Sequence, residues 1–343
     1  MQTHDPRGAA FRQAEAAPQK LYEIAGRLLR VEADAEWALR FAEGYLSGLH
    51  LTVSPHGAET TPDQAIQIST GPRPEIPSGM YVFEVPGGLC HAGGGGYFVD
   101  LSYALVTVGG GGDKTVSVWV ESGVGARALI TVMAYAVPAA LRRCGLFDLH
   151  AAGMVEPSGE RGFIFPGKSG SGKTTLAMRL GAAGWRYLSD DMVLVSAGAD
   201  GCEIRAMRRL FQASAETLAC HDLPLLGKAL GITVPSSPDK RCVDPATLFP
   251  GQFNPSTRPR VLCFAEVTRS TESRVEPIGK AEAMSRLLAL CPWARYDVVA
   301  AREHLDVLGG LARQCETLAL TAGRDLLADP LKASNMLRGY GRF

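Results

Sequence analysis

The chain has 343 residues, room for one large domain or two ordinary ones, and 46% of them are apolar, enough for a sizeable core. Its 35 Lys and Arg balance 35 Asp and Glu, giving a formal charge of +0 at pH 7. That balance argues against a general nucleic-acid binder and against a protein held electrostatically on a membrane, so neither partner is expected.

The start, "MQTHDPRGAAFRQAEAAPQK", is polar and has no apolar run, so residues 1–20 read as a flexible N-terminus and not as a secretory signal. A helical pattern follows through "LYEIAGRLLR" and reaches as far as Leu49, with "LSG" at Leu46 to Gly48 as a helix end. From Leu51 to Val120 the pattern changes to short β-like runs, among them "AIQIST", "YVFEV", "GYFVDLSYALVTV" and "TVSVWV", as in an antiparallel meander. The glycine clusters Gly93 to Gly96 and Gly109 to Gly112 open no helix that could back an anion, so they read as hairpin turns. Residues 21–125 thus form an N-terminal α+β region.

The longest apolar stretch, "ALITVMAYAVPAAL" from Ala128 to Leu141, falls short of the roughly 20 residues a membrane span needs and carries Pro138. It reads as part of a buried helix from about Arg127 to Arg143, in a protein expected to be soluble and cytoplasmic. Strand patterns follow at "LFDLHAAGMV" and "GFIFP", then a helix at "TTLAMRLGAAG". "WRYLSDDMVLVSA" reads as a strand broken at the aspartates, turning at "GADG" into the strand "CEIRAM". Helices are predicted at "ASAETLAC", "KAEAMSRLLAL" and "AREHLDVLGGLARQC", and strands at "RVLCFAEV" and "TLALTA". The eight cysteines contain no C-x-x-C pair, which suits reduced, mostly buried thiols. His91 and His221 have no evident partners.

"GKSGSGKT", Gly167 to Thr174, matches G-x-x-x-x-G-K-[ST], with an apolar strand before it and a helical pattern after it. Gly167, Gly170 and Gly172 free the backbone to turn successive N–H groups inward, and the helix beginning near Lys173 adds the positive end of its dipole. The dipole contributes at most about 2 kcal/mol, too little for a triphosphate. Lys173 adds a full charge near the terminal phosphates, and Thr174 offers a hydroxyl to Mg²⁺. Gly167, Lys168, Ser169, Gly170, Ser171, Gly172, Lys173, Thr174 and Thr175 form the candidate nucleotide-binding set, with ATP and Mg²⁺ as the expected cofactors. Lys168 has no assigned chemistry within it.

Asp190 and Asp191 follow Lys173 by 17 and 18 residues, the length of one helix and one returning strand. Ligands of open α/β sheets bind at the carboxyl ends of strands, so the pair is expected beside the loop. One carboxylate can serve a metal while the other accepts the proton of an attacking hydroxyl. Neighbours on a regular strand face opposite ways, so both can serve only if the strand kinks or ends there. Asp190 is assigned as base and Asp191, with Thr174, as the metal-side group; the reverse assignment stays open.

Four features in order resemble the HPr kinase/phosphorylase superfamily, in its HPr kinase-related serine kinase branch. They are "LHAAGMV" with His150, the loop "GKSGSGKTT", the "SDD" pair, and the basic "DKRCVDP" with Lys240 and Arg241. The likeness covers roughly residues 144–335. It implies an α/β fold with a P-loop kinase core of HPr kinase type and a mixed sheet, residues 126–343, plus the smaller, mainly-β N-terminal region. It also implies ATP- and Mg²⁺-dependent phosphorylation of a hydroxyl, usually serine, in a protein or peptide, with room for a homo-oligomer. Asp190, Asp191, Lys173 and His150 become the catalytic candidates, and Lys240 and Arg241 reach toward the phosphates. His150 by its residue type alone is more often a hydrogen-bonded core residue, and Lys240 and Arg241 a solvated pair in a Pro-rich loop.

The loop departs from the G-D-S-G-I-G-K-S of the bifunctional enzymes, and "EIRAMRRL" around Arg205 replaces their R-G-L-G-I. These differences put reverse phosphorylase activity and HPr as substrate in doubt. Related kinases occur beside lasso-peptide systems, which makes a ribosomal peptide a candidate acceptor. A nucleotide-binding scaffold with little catalysis and a small-metabolite kinase are the rival readings.

Overall fold

The computed structural model describes residues 17–57, 59–76, 78–219, 232–234, 237–329 and 331–341. Cys220, His221 and most of the expected flexible N-terminus lie outside these residues. Where helix is predicted from Leu21 onward, the chain instead folds as a hairpin of β1 (Gln19–Ile24) and β2 (Arg27–Ala33). Ala25 and Gly26 turn the corner with φ of 52° and 73°, conformations foreign to a right-handed helix. Leu29, Val31 and Ala33 are buried alternately, a period of two that the helical spacing of Leu21, Ile24 and Leu28 conceals. The helix that does form, α1 (Glu36–Leu46), stops just before Ser47 and Gly48.

Beyond α1 come β3 (Thr52–Val53), β4 (Gln64–Ser69), β5 (Met80–Val85), β6 (Gly88–Gly93), β7 (Gly96–Asp100), β8 (Ala104–Val108) and β9 (Thr115–Val120). They join the hairpin in a nine-stranded sheet, ordered β3-β1-β2-β4-β9-β8-β7-β6-β5. Strands β5 to β9 are the predicted antiparallel meander, and both glycine clusters fall at its turns. Strand β4, however, runs parallel to both β2 and β9. Its pairing with β2 follows from α1, which crosses over between β2 and β4 and returns the chain in the same direction.

Helix α2 (Ala126–Arg142) follows, with Leu129, Val132, Met133, Ala136, Val137, Ala140 and Leu141 all buried. Its core also takes in α1, the N-terminal sheet, and Leu194 and Met207 from the second half of the chain. The two regions thus share one apolar interior, in which each fully buried Leu, Val or Met side chain contributes about 1.5–3 kcal/mol. Among the described residues no helix is long and apolar enough to cross a membrane.

The second half begins with β10 (Phe147–Val155), β11 (Gly162–Pro166), α3 (Lys173–Ala182), β12 (Arg186–Ser189), β13 (Met192–Gly198) and β14 (Gly201–Ala206). Next come β15 (Phe211–Ser214), α4 (Ala215–Ala219), β16 (Ile232–Val234), β17 (Ser237–Val243), α5 (Pro245–Leu248), β18 (Ser256–Thr257) and β19 (Pro259–Val267). The chain ends with β20 (Arg274–Pro277), α6 (Lys280–Leu290), α7 (Trp293–Tyr296), α8 (Ala301–Gln314), β21 (Glu316–Ala322), α9 (Asp325–Ala328) and α10 (Lys332–Leu337). A second large sheet runs β18-β14-β13-β10-β11-β19-β21-β20, with β12 paired to β10, and β15-β17-β16 form a small third sheet. Strands β11, β19 and β21 are mutually parallel and the rest of the large sheet is antiparallel, so it is mixed. Apolar residues of α3 and α10 share one core beside this sheet, and those of α6 and α8 share another. The molecule is therefore a mixed α/β protein. Parallel pairing brings the carboxyl ends of β11, β19 and β21 to one edge, where the glycine-rich loop leaves β11.

Candidate functional site

The loop between β11 and α3 is built as its glycines require. Gly170 and Gly172 have φ of 84° and 91°, which a Cβ would strain, and Gly172 caps α3 in that left-handed state. The Gly167 amide donates to the His150 carbonyl at 3.1 Å, fastening the loop to β10. Lys173, 4% exposed, folds its ammonium onto the carbonyls of Gly167 and Lys168 at 2.7 and 2.9 Å. Burial lowers its pKa, the charges of Asp191 and Asp190 oppose that, and Lys240 and Arg208 add to the lowering. Four opposing charges around one amine mark a crowded electrostatic site.

The aspartates occupy the break between β12 and β13, which meets the requirement that the strand end there. Asp190 is fully buried and its Oδ2 accepts from Thr174 Oγ1 at 2.7 Å and from the Gln212 amide at 3.0 Å. Its Oδ1 is buried without a hydrogen-bond partner. Burial first, and then the neighbouring charge of Asp191, raise its pKa against those hydrogen bonds. Asp191 faces the cleft. His150 Nε2 lies 2.5 Å from its Oδ1, Arg208 Nη1 lies 3.2 Å from its Oδ2, and Lys173 Nζ lies 3.8 Å from its Oδ1. Burial would raise this carboxyl, but the His150 hydrogen bond and the charges of Arg208, His150 and Lys173 outweigh it and hold it far below the usual carboxylate range.

The cleft is a cavity of about 290 Å³. Of the predicted residues it is lined by Ser169, Gly170, Ser171, Gly172, Lys173, Thr174, Thr175, Asp191 and Lys240. Thr175 Oγ1 meets Thr217 Oγ1 at 2.8 Å, tying α3 to α4 on its wall. Ser171 Oγ is buried without a hydrogen-bond partner. His150 joins the site through Asp191, while Lys168 has an exposed side chain and takes part through its carbonyl. Lys240 and Arg241, expected in a Pro-rich loop, lie instead on β17, opposite Ser214 and Ala213 of β15. Neighbours on a strand face opposite sides, so Lys240 lines the cleft and Arg241 does not.

Sequence reasoning missed Arg208. Arg205, in the stretch that departs from R-G-L-G-I, pairs with Glu203 at 2.8 Å. Arg208 lies just past β14, where an isolated antiparallel bridge pairs it with Leu49 of the N-terminal region. His50 N donates to Met207 O at 2.9 Å and Arg209 N to Gly48 O at 3.0 Å. The N-terminal region therefore fixes the backbone that presents Arg208 to Asp191, through a bridge between Leu49 and Arg208, far apart in sequence, that no local pattern announces.

The donor set suits a divalent cation. Thr174 and Asp190 are joined, and the bare Oδ1 of Asp190 is a buried carboxylate oxygen with a free lone pair. Among the described residues no group of three or more His, Cys, Asp or Glu could hold an ion by itself. Mg²⁺ fits such a sparse set, because it commonly uses one or two protein oxygens together with substrate phosphates and water. Compared with known proteins, the chain matches no protein-family model and no curated protein.

Proposed function

We propose that this chain is an ATP-dependent kinase of the HPr kinase-like type, with a P-loop kinase core, transferring the γ-phosphoryl group to a serine hydroxyl of a protein or peptide. The observation that carries the reading is Asp191: a carboxylate set in a strand break, open to the same cleft as the glycine-rich loop, 3.8 Å from Lys173. A protein that only binds nucleotide has no need of it.

The geometry favours the reverse of the first role assignment. Asp190, joined to Thr174, is the metal-side carboxylate, and Asp191, facing the cleft, is the group that meets the acceptor. Mg²⁺, when bound, would neutralise phosphate charge. Loop amides and Lys173 cradle the phosphates, and Lys240 reaches them from β17. The acceptor oxygen forms its bond to the γ-phosphorus as the bond to the β–γ bridging oxygen breaks, and the hydroxyl proton passes to Asp191. Asp191 is a weak base while Lys173 and Arg208 lie against it. When Lys173 and Arg208 turn to the phosphates, its proton affinity rises, and a loose transition state lets the proton leave late. His150 holds the carboxylate in place throughout.

The test is incubation of the protein with γ-labelled ATP and an extract of its own cells. Label on serine of a protein or peptide, absent with Asp191→Asn, supports the reading. Label confined to low-mass material assigns a small-metabolite kinase instead, and no labelled acceptor at all leaves a scaffold.

A further inference from the structure

Asp191 has two sides. Its Oδ1 faces Lys173 of the glycine-rich loop, and its Oδ2 faces Arg208, which does not line the cleft. Arg208 belongs to the junction at which Gly48 to His50 pair with Met207 to Arg209. A row of rings leads to that junction. His150, Ala152 and Met154 alternate to one face of β10, and Met154 shares a core with Tyr187 and Phe211, the neighbour of Gln212 whose amide holds Asp190. Tyr187 stands edge-on to Phe211 with centroids 5.5 Å apart, Phe253 lies 5.7 Å from Tyr187, and His50 stacks on Phe253 at 4.5 Å and 15°. Tyr187 is buried and Phe253 is 38% exposed, so the row runs from the core to the surface.

The outer rings are held by backbone on both sides. The Tyr187 amide donates to Gln252 O at 2.9 Å and the Asn254 amide to Tyr187 O at 2.8 Å, while the His50 amide donates to Met207 O. Burial, and then the charge of Arg209, push the His50 pKa down to about 4, so at neutral pH its ring is uncharged. Beside it Arg209 is exposed and, among the described residues, joins no salt bridge. With the nucleotide in the cleft, an acceptor reaches Asp191 from the Arg208 side, across this ledge. We propose that His50, Phe253 and Arg209 select the acceptor: an aromatic side chain of an acceptor polypeptide lies on the Phe253–His50 rings, and a carboxylate beside it meets Arg209. The proposal rests on the kinase reading of the site. Rings already fixed in place cost little ordering when a partner binds. Tyr187 precedes Asp190 by three residues of extended chain, about 10 Å, which places the selected residues about three to five positions from the serine.

The test is a serine-centred peptide library, randomised on both sides of the serine and incubated with the full chain, Mg²⁺ and γ-labelled ATP, after which the labelled peptides are sequenced. Wild type should enrich Phe, Tyr or Trp about fivefold at a position three to five residues from the serine, with Asp or Glu beside it. Phe253→Ala should lose the aromatic preference, and Arg209→Glu should exchange the acidic preference for Lys or Arg. ATP affinity of both variants, read by calorimetry, should stay within about twofold of wild type, which shows them folded with the cleft intact. A merely structural role cannot reverse a charge preference. The inference is overturned if wild type labels the library without these preferences, or if both variants keep them. A library left unlabelled by a wild type that binds ATP removes the peptide-acceptor reading itself, and this inference with it.

Discussion

Asp148 and His150 stand two residues apart on β10 and share a face, yet they belong to two different charged clusters. Asp148 pairs with Arg142 Nη1 at 2.6 Å, and the same guanidinium meets Tyr97 Oη at 2.8 Å and lies over the ring of Trp293. Asp297, 1% exposed, faces Arg143 at 2.8 Å and Arg142 at 3.9 Å. Two arginines thus meet two aspartates in a sealed, neutral cluster between the N-terminal sheet and the second half of the chain. Around His150 the count differs: Lys173, Arg208 and Lys240 surround Asp190 and Asp191 beside an open cleft. Charges that are matched and sealed fix a geometry. Charges with a surplus of one sign at a cavity leave an anion still to be bound.

Breaking the sealed cluster should have the largest effect, and it should appear in stability. Asp297→Ala leaves two buried guanidinium groups short of a partner and should cost about 3–5 kcal/mol, read by urea unfolding. ATP affinity of the folded fraction should not change.

The next effect is on acid stability. His304 is 2% exposed and stacks on Phe147 at 4.5 Å, and neither ring nitrogen has a hydrogen-bond partner. Burial pushes its pKa down to about 4, opposed by Asp148 and Asp297 and reinforced by Arg142. The unfolded chain, with a pKa near 6.5, therefore binds the proton more readily. Stability is full above pH 6.5 and falls as pH drops toward 4, by on the order of 3 kcal/mol from this group. His304→Phe should flatten that part of the unfolding free energy against pH, and an unchanged slope would place the titration elsewhere.

In the open cluster, losses should appear in turnover. Lys173→Ala should lower phosphoryl transfer at least ~100-fold, about 2.7 kcal/mol or more, with the melting temperature close to wild type. His150→Gln, which can still hydrogen-bond Asp191, should cost less, about tenfold in kcat, with KM for ATP little changed. An equal loss in the two variants would make His150 a direct participant rather than a positioning residue.

The two regions also differ in how far the sequence disclosed them. The loop and the aspartates were legible because the chemistry is local: glycines at fixed offsets, a lysine at the helix start, and a strand that breaks at two carboxylates. Residues 21–33 misled because their leucines satisfy a helical period and a strand period at once, and the Ala25–Gly26 turn decides between them. Arg208 and the amide of Gln212 were invisible for a different reason. Each reaches its aspartate through pairing set by the fold, Arg208 beside the bridge to Leu49 and Gln212 on β15. The sealed cluster, assembled from α2, β10 and the segment before α8, carries no motif at all.

The sharpest measurement is Asp191→Asn followed by two readouts, ATP affinity and phosphoryl transfer. On the proposed function, removing a negative charge from the cleft should leave ATP binding equal or tighter while transfer falls at least ~100-fold. Transfer near the wild-type rate, or binding lost in proportion to transfer, would contradict a carboxylate that faces the acceptor.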